Sequence, residues 1–269
     1  MKSKKNVVIL GGGLSGLSTA YHLKNEKGIE FKIFEKESVP GGICGSIKKD
    51  GFIFDYSGHL LHMKDEYTKE LANKLLGQNL SHLKRNAWIY FLGEYIPYPF
   101  QAHLSALPPD IAKECLSEFI RAALKSPVKN PKNFEEWINA FLGKGIAKHF
   151  MIPYNKKLWV THPKNLICEW VKYVPKPSMD DILDSLIRAK NKDFGYNSYF
   201  YYPKRGGINS LVLALEKDIK GNINYDSEIK KIDAGNRVVI TKNEEKSKYD
   251  YLVSSMPLPE LIKLIVKCP

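Results

Sequence analysis

The apolar and polar positions at the start of the chain predict a strand, a helix and a second strand in close succession. Residues 7–10 are wholly apolar, which is typical of a short strand buried on both faces of a parallel sheet. Apolar residues then recur at helical spacing over 14–21, and residues 31–34 are again strand-like. Two parallel strands joined by a helix open a Rossmann-like α/β fold.

Further along the chain the pattern becomes mainly helical and then returns to strands. Residues 47–54 predict a hairpin that turns at Asp50-Gly51, residues 65–76 a helix, and residues 87–96 two strands. Helical spacing follows over 110–125, 134–142, 146–151 and 179–190, whereas the mixed polar and aromatic residues 153–159 predict a loop. Strand-like segments return at 199–202, 222–225, 229–232, 238–241 and 251–253, with a helix over 208–217.

This order predicts two domains, the first of them discontinuous. Residues 1–85 and 199–269 form a nucleotide-binding domain around a parallel sheet, and residues 86–198 form a mainly helical substrate-binding insertion. The predicted fold class is therefore α/β with an inserted helical domain.

Three glycines follow the first strand at the spacing G-x-G-x-x-G. Gly11 permits the tight turn, Gly13 lets the backbone approach a pyrophosphate, and Gly16 lets helix and strand pack closely. The helix start offers free N–H groups and its positive dipole end to that pyrophosphate. Glu35 ends the second strand 19 residues after Gly16, where a carboxylate can accept hydrogen bonds from a ribose. The combination predicts dinucleotide binding, with a glycine-rich turn that holds no ligand as the alternative.

Three further segments contain candidate residues. Gly41-Gly42 is a second glycine cluster soon after the acid and indicates a loop folded back over the cofactor phosphates. His59 directly follows Gly58 and is either a functional histidine or an ordinary buried one. Residues 97–101, Pro-Tyr-Pro-Phe-Gln, form a stiff segment because each proline restricts the backbone. Its two rings and amide either hold a flat heterocycle or pack in the core.

Composition and charge narrow the class of protein. The chain of 269 residues is 43% hydrophobic, enough for one or two domains, and no apolar run approaches the roughly 20 residues of a membrane span. Its four cysteines, Cys44, Cys115, Cys168 and Cys268, are scattered, so neither a disulfide framework nor a metal site is predicted and a reducing cytoplasm fits. The net charge of +12 favours anionic partners, but the lysines are dispersed as on a solvated surface, and nucleic acid is not a predicted partner.

With these residues in view, the chain resembles the FAD-containing amine-oxidase and protoporphyrinogen-oxidase-like superfamily. The glycine motif, Glu35, Gly41-Gly42 and the late segment Ser254-Ser255-Met256-Pro257 are features of that superfamily. The resemblance implies FAD as the cofactor. It implies that the cofactor is held by Gly11, Gly13, Leu14, Ser15, Gly16, Glu35, Lys36, Gly41, Gly42, Gly58, His59, Arg85 and Ile229.

Within the superfamily the chain resembles UDP-galactopyranose mutases of the eukaryotic type. Residues 96–101 are similar to the mutases' segment that sandwiches and hydrogen-bonds uracil, and Asn155, Trp159 and Asn197 match residues near the same nucleotide. The implied substrate-binding residues are Tyr98, Phe100, Gln101, Asn155, Trp159 and Asn197. The run Tyr-Pro-Lys-Arg-Gly-Gly at 202–207 matches a mutase signature, and the resemblance implies catalytic roles for His59 and Arg205.

Two departures from the mutase pattern matter. Mutases carry an arginine a few residues after the tryptophan that corresponds to Trp170, and residues 170–174 here contain none. Lys172 supplies charge but not the planar fork of a guanidinium. Mutases also continue beyond the point that corresponds to Pro269, so the resemblance implies that the last flavin-binding strand and the groups that clamp the UDP pyrophosphate lie outside this chain.

The resemblance implies interconversion of the pyranose and furanose forms of a UDP-sugar, by covalent catalysis at N5 of reduced FAD. Two alternatives stay open. One is an FAD-dependent oxidoreductase of the amine-oxidase or protoporphyrinogen-oxidase type, which the lost arginine favours and the uridine-site matches oppose. The other is a truncated, non-catalytic flavin- or nucleotide-binding protein. The expected partner is a small nucleotide-sugar, and a homo-oligomer is left open.

Overall fold

The structure, a computed structural model, describes residues 4–125, 128–188 and 198–266, with the backbone alone at Arg188. Its helices are α1 Leu14–Leu23, α2 Glu66–Leu76, α3 Pro109–Ala123, α4 Phe134–Ile146, α5 Ile152–Trp159, α6 Met179–Arg188, α7 Asn209–Glu216 and α8 Leu258–Leu264. Its strands are β1 Lys5–Leu10, β2 Ile29–Phe34, β3 Ser46–Lys49, β4 Phe52–Asp55, β5 Leu80–Lys84, β6 Trp88–Phe91, β7 Glu94–Pro97, β8 Tyr199–Pro203, β9 Ile223–Asn224, β10 Ile229–Asp233, β11 Val238–Thr241, β12 Lys246–Lys248, β13 Tyr251–Ser254 and β14 Ile265–Val266.

The chain divides into two compact units. The first contains Met1–Leu83 and Phe200–Pro269, and the second contains Lys84–Tyr199. The assignment of the first unit to flavin binding and of the second to substrate binding stays a prediction.

The first unit is built on a parallel sheet with the strand order β13-β1-β2-β9. Alternate residues of β1 belong to different cores: Val7 and Ile9 pack with α1 and α7, and Val8 and Leu10 pack toward the second sheet of this unit. A strand with apolar neighbours on both faces needs apolar side chains at every position. The predicted doubly covered strand and the predicted α/β fold class are therefore confirmed.

The second sheet of this unit has the order β12-β11-β10-β14. Its inner face carries Ile229, Ile232 and Val239, which form one cluster with Val8 and Leu10. The predicted hairpin at residues 47–54 is also present, as β3 and β4, and Asp50 and Gly51 have positive φ at its turn. Successive positive φ angles are typical of a two-residue hairpin turn, which confirms the local prediction.

The second unit packs α3 against α4 over a core that includes Phe100, Phe134 and Leu142. The helix α4 is interrupted at Gly143, where φ is +78°, and the backbone there lies against α3. A Cβ at Gly143 would lie 2.4 Å from the carbonyl oxygen of Glu118, so only glycine fits this contact. A reciprocal cap begins α6: the Ser178 hydroxyl accepts a hydrogen bond from Asp181 N, and the Asp181 carboxylate accepts one from Ser178 N.

The loop predicted at residues 153–159 is wrong, because this segment forms the helix α5. Pro153 stands in the first turn, where the missing N–H of proline costs no intrahelical hydrogen bond. The ring of Tyr154 stacks on that of Phe150 at 4.9 Å, and the Asn155 amide donates to Met151 O at 2.8 Å. Tertiary packing of the preceding turn therefore outweighs the local polar pattern. In the part of the chain that the structure describes, no helix has the length and apolar character needed to cross a bilayer.

Candidate functional site

The first glycine loop lies between β1 and α1 and is held by backbone contacts. Gly11 N donates to Phe34 O at 2.9 Å, and its φ of +99° is one that side-chain-bearing residues rarely adopt. A Cβ at Gly16 would lie 2.0 Å from Gly11 O, so the helix and the loop touch through their backbones. Gly11 and Gly16 thus have the conformational and packing requirements that the motif predicts.

Gly13 differs from these two glycines because the space beside it is open. A Cβ built there meets one atom within 4 Å, Gly41 O at 4.0 Å, and its φ of −73° suits any residue. Gly13 is the N-cap of α1, so the first-turn N–H groups of Leu14, Ser15 and Gly16 have no side-chain cap and no intrahelical acceptor. Open space in front of the start of a helix, where N–H groups lack intrahelical acceptors, is the geometry that suits a phosphate group.

Glu35 is 6% exposed and its carboxylate is fixed beside the glycine loop. One oxygen accepts from Gly12 N at 2.5 Å and the other from Glu37 N at 2.9 Å. Each oxygen keeps a lone pair with which it can accept a ribose hydroxyl. The backbone oxygen of Glu35 accepts from Ser227 N at 2.8 Å, which brings the segment before Ile229 to the same strand end.

The second glycine cluster packs directly on the first. Gly41 N donates to Gly12 O at 2.9 Å, and a Cβ at Gly42 would lie 3.5 Å from the Cα of Gly13. Gly41 and Gly42 both have positive φ, at +122° and +53°. The structure therefore brings the two predicted glycine clusters together, while Lys36 is exposed and lies 3.4 Å from a carboxylate oxygen of Glu37.

Asp55, at the end of β4, connects three segments of the first unit. Its carboxylate accepts from the Ser46 hydroxyl at 2.5 Å, the Tyr202 hydroxyl at 2.6 Å, and Ile208 N at 3.2 and 3.3 Å. Burial alone would raise the pKa of Asp55, but the hydrogen bonds from Ser46, Tyr202 and Ile208 together hold this pKa below its usual value. Burial and the hydrogen bond to Asp55 raise the pKa of Tyr202 to about 12. Asp55 is therefore an ionised acceptor and Tyr202 a neutral donor near neutral pH.

The two residues with predicted catalytic roles also lie in the first unit. His59 is half-buried, and its Nδ1 is buried without a hydrogen-bond partner among the described residues. The backbone of Arg205 is held by the Asn79 side chain, which accepts from Arg205 N and donates to Arg205 O, both at 3.0 Å. The side chain of Arg205 is exposed, and nothing would lie within 4 Å of a Cβ at Gly58. A buried nitrogen that has no partner among the described residues is suited to a bound group that donates or accepts one hydrogen bond.

In the second unit the predicted aromatic residues occupy different environments. Tyr98 is half-buried, and the guanidinium carbon of Arg85 lies 4.8 Å from its ring centroid. Phe100 is fully buried and stacks on Phe150 at 4.7 Å with an interplanar angle of 7°. Phe100 therefore packs in the core in this structure, and the half-buried Tyr98 is the better placed ring for a ligand.

The polar residues of this unit are held by backbone acceptors. Gln101 is 2% exposed; its amide nitrogen donates to Pro175 O at 2.6 Å, and its amide oxygen is buried without a partner among the described residues. Asn155 is 3% exposed, and Trp159, one turn later on α5, is half-exposed and 5.6 Å from the ring of Trp170. Asn197 lies outside the described residues, and the substrate roles of this set stay predictions.

The described residues contain no group of three or more histidine, cysteine or carboxylate side chains that could hold a metal ion. Cys44, Cys115 and Cys168 are free thiols, and Cys268 lies outside the described residues. Burial raises the pKa of Cys115 to about 12, so this thiol stays protonated at neutral pH.

Comparison with known proteins identifies the family. The family model described as flavin containing amine oxidoreductase matches residues 14–267. The chain belongs to the flavin containing amine oxidoreductase family. The members of this family are FAD-binding, which confirms the predicted cofactor.

Two solved structures and one curated relative are similar to this chain over most of its length. A reduced UDP-galactopyranose mutase is 29% identical, with a TM-score of 0.91 over 99% of this chain and 58% of that one. Putrescine oxidase with bound putrescine is 14% identical, with a TM-score of 0.61 over 98% of this chain and 60% of that one. Coproporphyrinogen III oxidase of Staphylococcus aureus is 23% identical over an alignment 291 residues long. The alignment covers 94% of this chain and 60% of the relative. The chain thus spans about 60% of the length of these proteins.

The first unit of this member of the flavin containing amine oxidoreductase family fits the dinucleotide part of FAD. The open space at Gly13 and the uncapped start of α1 suit the pyrophosphate, and the buried carboxylate of Glu35 suits a ribose. The buried Nδ1 of His59, which lacks a hydrogen-bond partner among the described residues, is a second candidate contact in the same unit. Ile229 stays a predicted cofactor residue, as does Arg85, which belongs to the second unit.

Four residues of this site were absent from the predicted set, although the sequence carries some signal for three of them. Gly12 is the middle glycine of Gly-Gly-Gly, and a Cβ there would lie 3.0 Å from the Glu35 carboxylate. The Ser255 hydroxyl donates to Leu10 O at 3.1 Å, and it belongs to the late superfamily segment. Asp55 is an acid that ends an apolar strand. Asn79 has no local signal at all, since its partner Arg205 is 126 residues away.

Proposed function

We propose that this chain forms the cofactor-binding and uridine-binding units of a flavoenzyme that interconverts the pyranose and furanose forms of a UDP-sugar. The observation that carries the proposal is the likeness to the reduced mutase, at a TM-score of 0.91 over 99% of the chain. The likeness to putrescine oxidase covers 98% of the chain at a TM-score of only 0.61. The comparison therefore favours a mutase-like arrangement inside both units over an oxidase-like one.

The second unit supports uridine as the nucleotide through the orientation of one amide. The amide nitrogen of Gln101 donates to Pro175 O, which fixes the orientation of the amide. Its amide oxygen is buried and has no hydrogen-bond partner among the described residues. A buried acceptor without a donor costs free energy unless a ligand supplies the donor. Uracil offers an N–H donor at its Watson–Crick edge. A uracil base can therefore supply the donor that the Gln101 amide oxygen lacks.

In this proposal the chain's own residues bind and orient, and the cofactor supplies the covalent chemistry. Reduced FAD, when bound, provides a nucleophilic nitrogen at N5. Gly13, Glu35 and the start of α1 hold the dinucleotide, and Tyr98, Gln101 and Asn155 hold the uridine. His59 and Arg205 are assigned to the catalytic centre. Lys172 supplies positive charge in the segment where mutases carry an arginine.

A specific observation favours the oxidoreductase alternative. Coproporphyrinogen III oxidase is related over 94% of the chain, so an oxidase shares nearly the same sequence range. Residues 170–174 also lack the arginine of the mutases. In this alternative the same flavin unit accepts electrons from a porphyrinogen or an amine. A nucleotide-sugar partner and a cytoplasmic location stay predictions, and a homo-oligomer stays open.

The deciding experiment compares oxidised and dithionite-reduced full natural protein with a panel of UDP-hexoses under anaerobic conditions. We expect conversion between ring forms, followed by chromatography and NMR, in the reduced sample alone and without net consumption of reductant. The oxidised protein and the matching sugar 1-phosphates are the controls. No conversion of any UDP-hexose, together with oxygen uptake on a porphyrinogen or an amine, would replace the mutase proposal by the oxidoreductase one. Bound FAD with neither activity would favour the non-catalytic alternative.

Replacing Tyr98 by alanine should weaken UDP binding by roughly tenfold or more. A base stacked on an aromatic ring contributes about 1–3 kcal/mol, and about 1.4 kcal/mol is a factor of ten in affinity. Calorimetry with UDP measures the effect on the full natural protein. Tyr95→Ala is the matched control, because it removes an equal ring that is 67% exposed on β7. Equal UDP affinity in Tyr98→Ala and wild type would contradict the uridine assignment.

A further inference from the structure

The Asp55 carboxylate joins segments that are far apart in the sequence. Its donors are the Ser46 hydroxyl at the start of β3, the Tyr202 hydroxyl on β8 and Ile208 N, directly after the turn 205–207. Ser46 Oγ also accepts from Asn209 N at 3.3 Å, so two successive backbone N–H groups, those of Ile208 and Asn209, are bonded to the hairpin. One carboxylate thus determines where the turn lies relative to the β3–β4 hairpin, which continues into Gly58-His59.

The turn itself is built to approach this carboxylate closely. Gly207 has a φ of +63°, and a Cβ there would lie 2.5 Å from Asp55 Oδ1 and 2.7 Å from Ser46 Oγ. Gly206 has a φ of +84°, and a Cβ there would lie 2.3 Å from Ser210 Oγ. Side chains are excluded at both glycines, and at Gly207 the backbone lies directly against the Asp55 carboxylate. Such charge-assisted hydrogen bonds to an ionised acceptor are the stronger kind.

We propose that Asp55 is the positioning residue of the flavin site, which holds the Arg205-Gly206-Gly207 turn against the hairpin that leads to His59. The inference rests on the flavin-binding part of the proposed function and is independent of the sugar substrate. Asp55 does not touch the cofactor in this proposal; it acts through the backbone of the turn and through the hairpin that leads to His59. Removing its carboxylate therefore loosens the turn first and weakens FAD binding as a consequence.

The first test measures amide hydrogen exchange of peptides that cover residues 204–210 and 56–60, in flavin-free full natural protein. Asp55→Ala should speed exchange at 204–210 by roughly tenfold or more, because Ile208 N loses its acceptor. Asp55→Asn keeps the size and one acceptor oxygen and should lie between Ala and wild type. Asp65→Ala is the matched control, since it removes the cap of α2 in the same unit and does not contact the turn. Wild-type exchange at 204–210 in a folded Asp55→Ala protein would overturn the proposal.

The second test measures FAD affinity by titration of the same variants. Asp55→Ala should bind FAD roughly tenfold or more weakly and change the shape of the bound flavin's visible absorption band. Asp65→Ala lowers thermal stability but should retain the wild-type affinity and spectrum. Equal losses in both variants would show general destabilisation and overturn the positioning role.

Two milder variants keep the proposal testable where Asp55→Ala does not fold. Tyr202→Phe and Ser46→Ala each remove one donor, and each should speed exchange at 204–210 by a smaller factor. Wild-type exchange in both would overturn the proposal. Failure of the wild-type protein to bind FAD would overturn the flavin part of the proposed function, while the exchange data still decide whether Asp55 holds the turn. Absence of UDP-hexose conversion would contradict the proposed sugar substrate, but it would not change what the FAD titration and the hydrogen-exchange data show about Asp55.

Discussion

Gly13→Val is expected to lower FAD affinity by more than about 100-fold, which corresponds to about 2.7 kcal/mol or more. The valine side chain would fill the open space in front of the first turn of α1, where the nearest heavy atom to a Cβ is Gly41 O at 4.0 Å. Backbone N–H groups hold a phosphate only at close approach, so even a few added atoms exclude it. Fluorescence titration of flavin-free full natural protein with FAD measures the loss.

The fold itself should tolerate this valine. The backbone at Gly13 is extended, with φ −73° and ψ 177°, a conformation that valine adopts without strain. We expect the flavin-free variant to unfold within about 3 °C of wild type, because changes in open positions usually cost under about 1 kcal/mol. Gly221→Val is the control, since a Cβ there meets nothing within 4 Å and Gly221 is remote from the motif in sequence. Undiminished FAD binding by Gly13→Val would place the pyrophosphate elsewhere.

Gly143→Ala is expected to destabilise the second unit by roughly 3–5 kcal/mol. Two costs combine at this position. The φ of +78° strains any residue with a Cβ, and that Cβ would lie 2.4 Å from Glu118 O and 2.5 Å from Glu118 C. Both clashing atoms are backbone of α3, so relief requires the two helices to separate.

Urea denaturation, followed by tryptophan fluorescence, measures this loss because Trp137 is buried in the core of the second unit. Lys144→Ala is the control, because Lys144 is exposed and next in the chain. We expect the control to stay within about 0.5 kcal/mol of wild type. A Gly143→Ala variant as stable as the control would mean that the contact between α3 and α4 relaxes without cost.

Several elements whose sequence pattern involves only neighbouring residues were predicted correctly. The run of apolar residues at 7–10 and the glycines that follow depend on near neighbours in the chain, and the structure has the strand, the turn and the helix start there. Asp50-Gly51 specified its hairpin for the same reason, since the two positive φ angles belong to the turn residues themselves. The loop predicted at 153–159 was wrong because the polar pattern is local and the stacking of Tyr154 on Phe150 lies outside it.

The burial and the hydrogen-bond partners of the candidate site residues could not be predicted from local patterns. Phe100 and Tyr98 are both aromatic residues of one stiff segment, and the sequence does not distinguish their environments. In the structure Phe100 is completely buried and Tyr98 is half-buried. The amide orientation of Gln101 depends on Pro175 O, 74 residues away. Burial and hydrogen-bond partners depend on which segments meet, and no local pattern contains that information.

The sequence by itself determined the glycine motif, the acid at the end of β2 and the first strand of the parallel sheet, which is apolar on both faces. Each of these features depends on residues that lie close together in the chain. Only the tertiary structure decided that Asp55 meets Ile208 across 153 residues and that Asn79 clamps Arg205 across 126. A hydrogen bond between distant segments forms only once the core has set their separation to within a few tenths of an ångström. Hydrogen-bond partners of this kind produce no recognisable pattern in the sequence, so they could not be predicted from it.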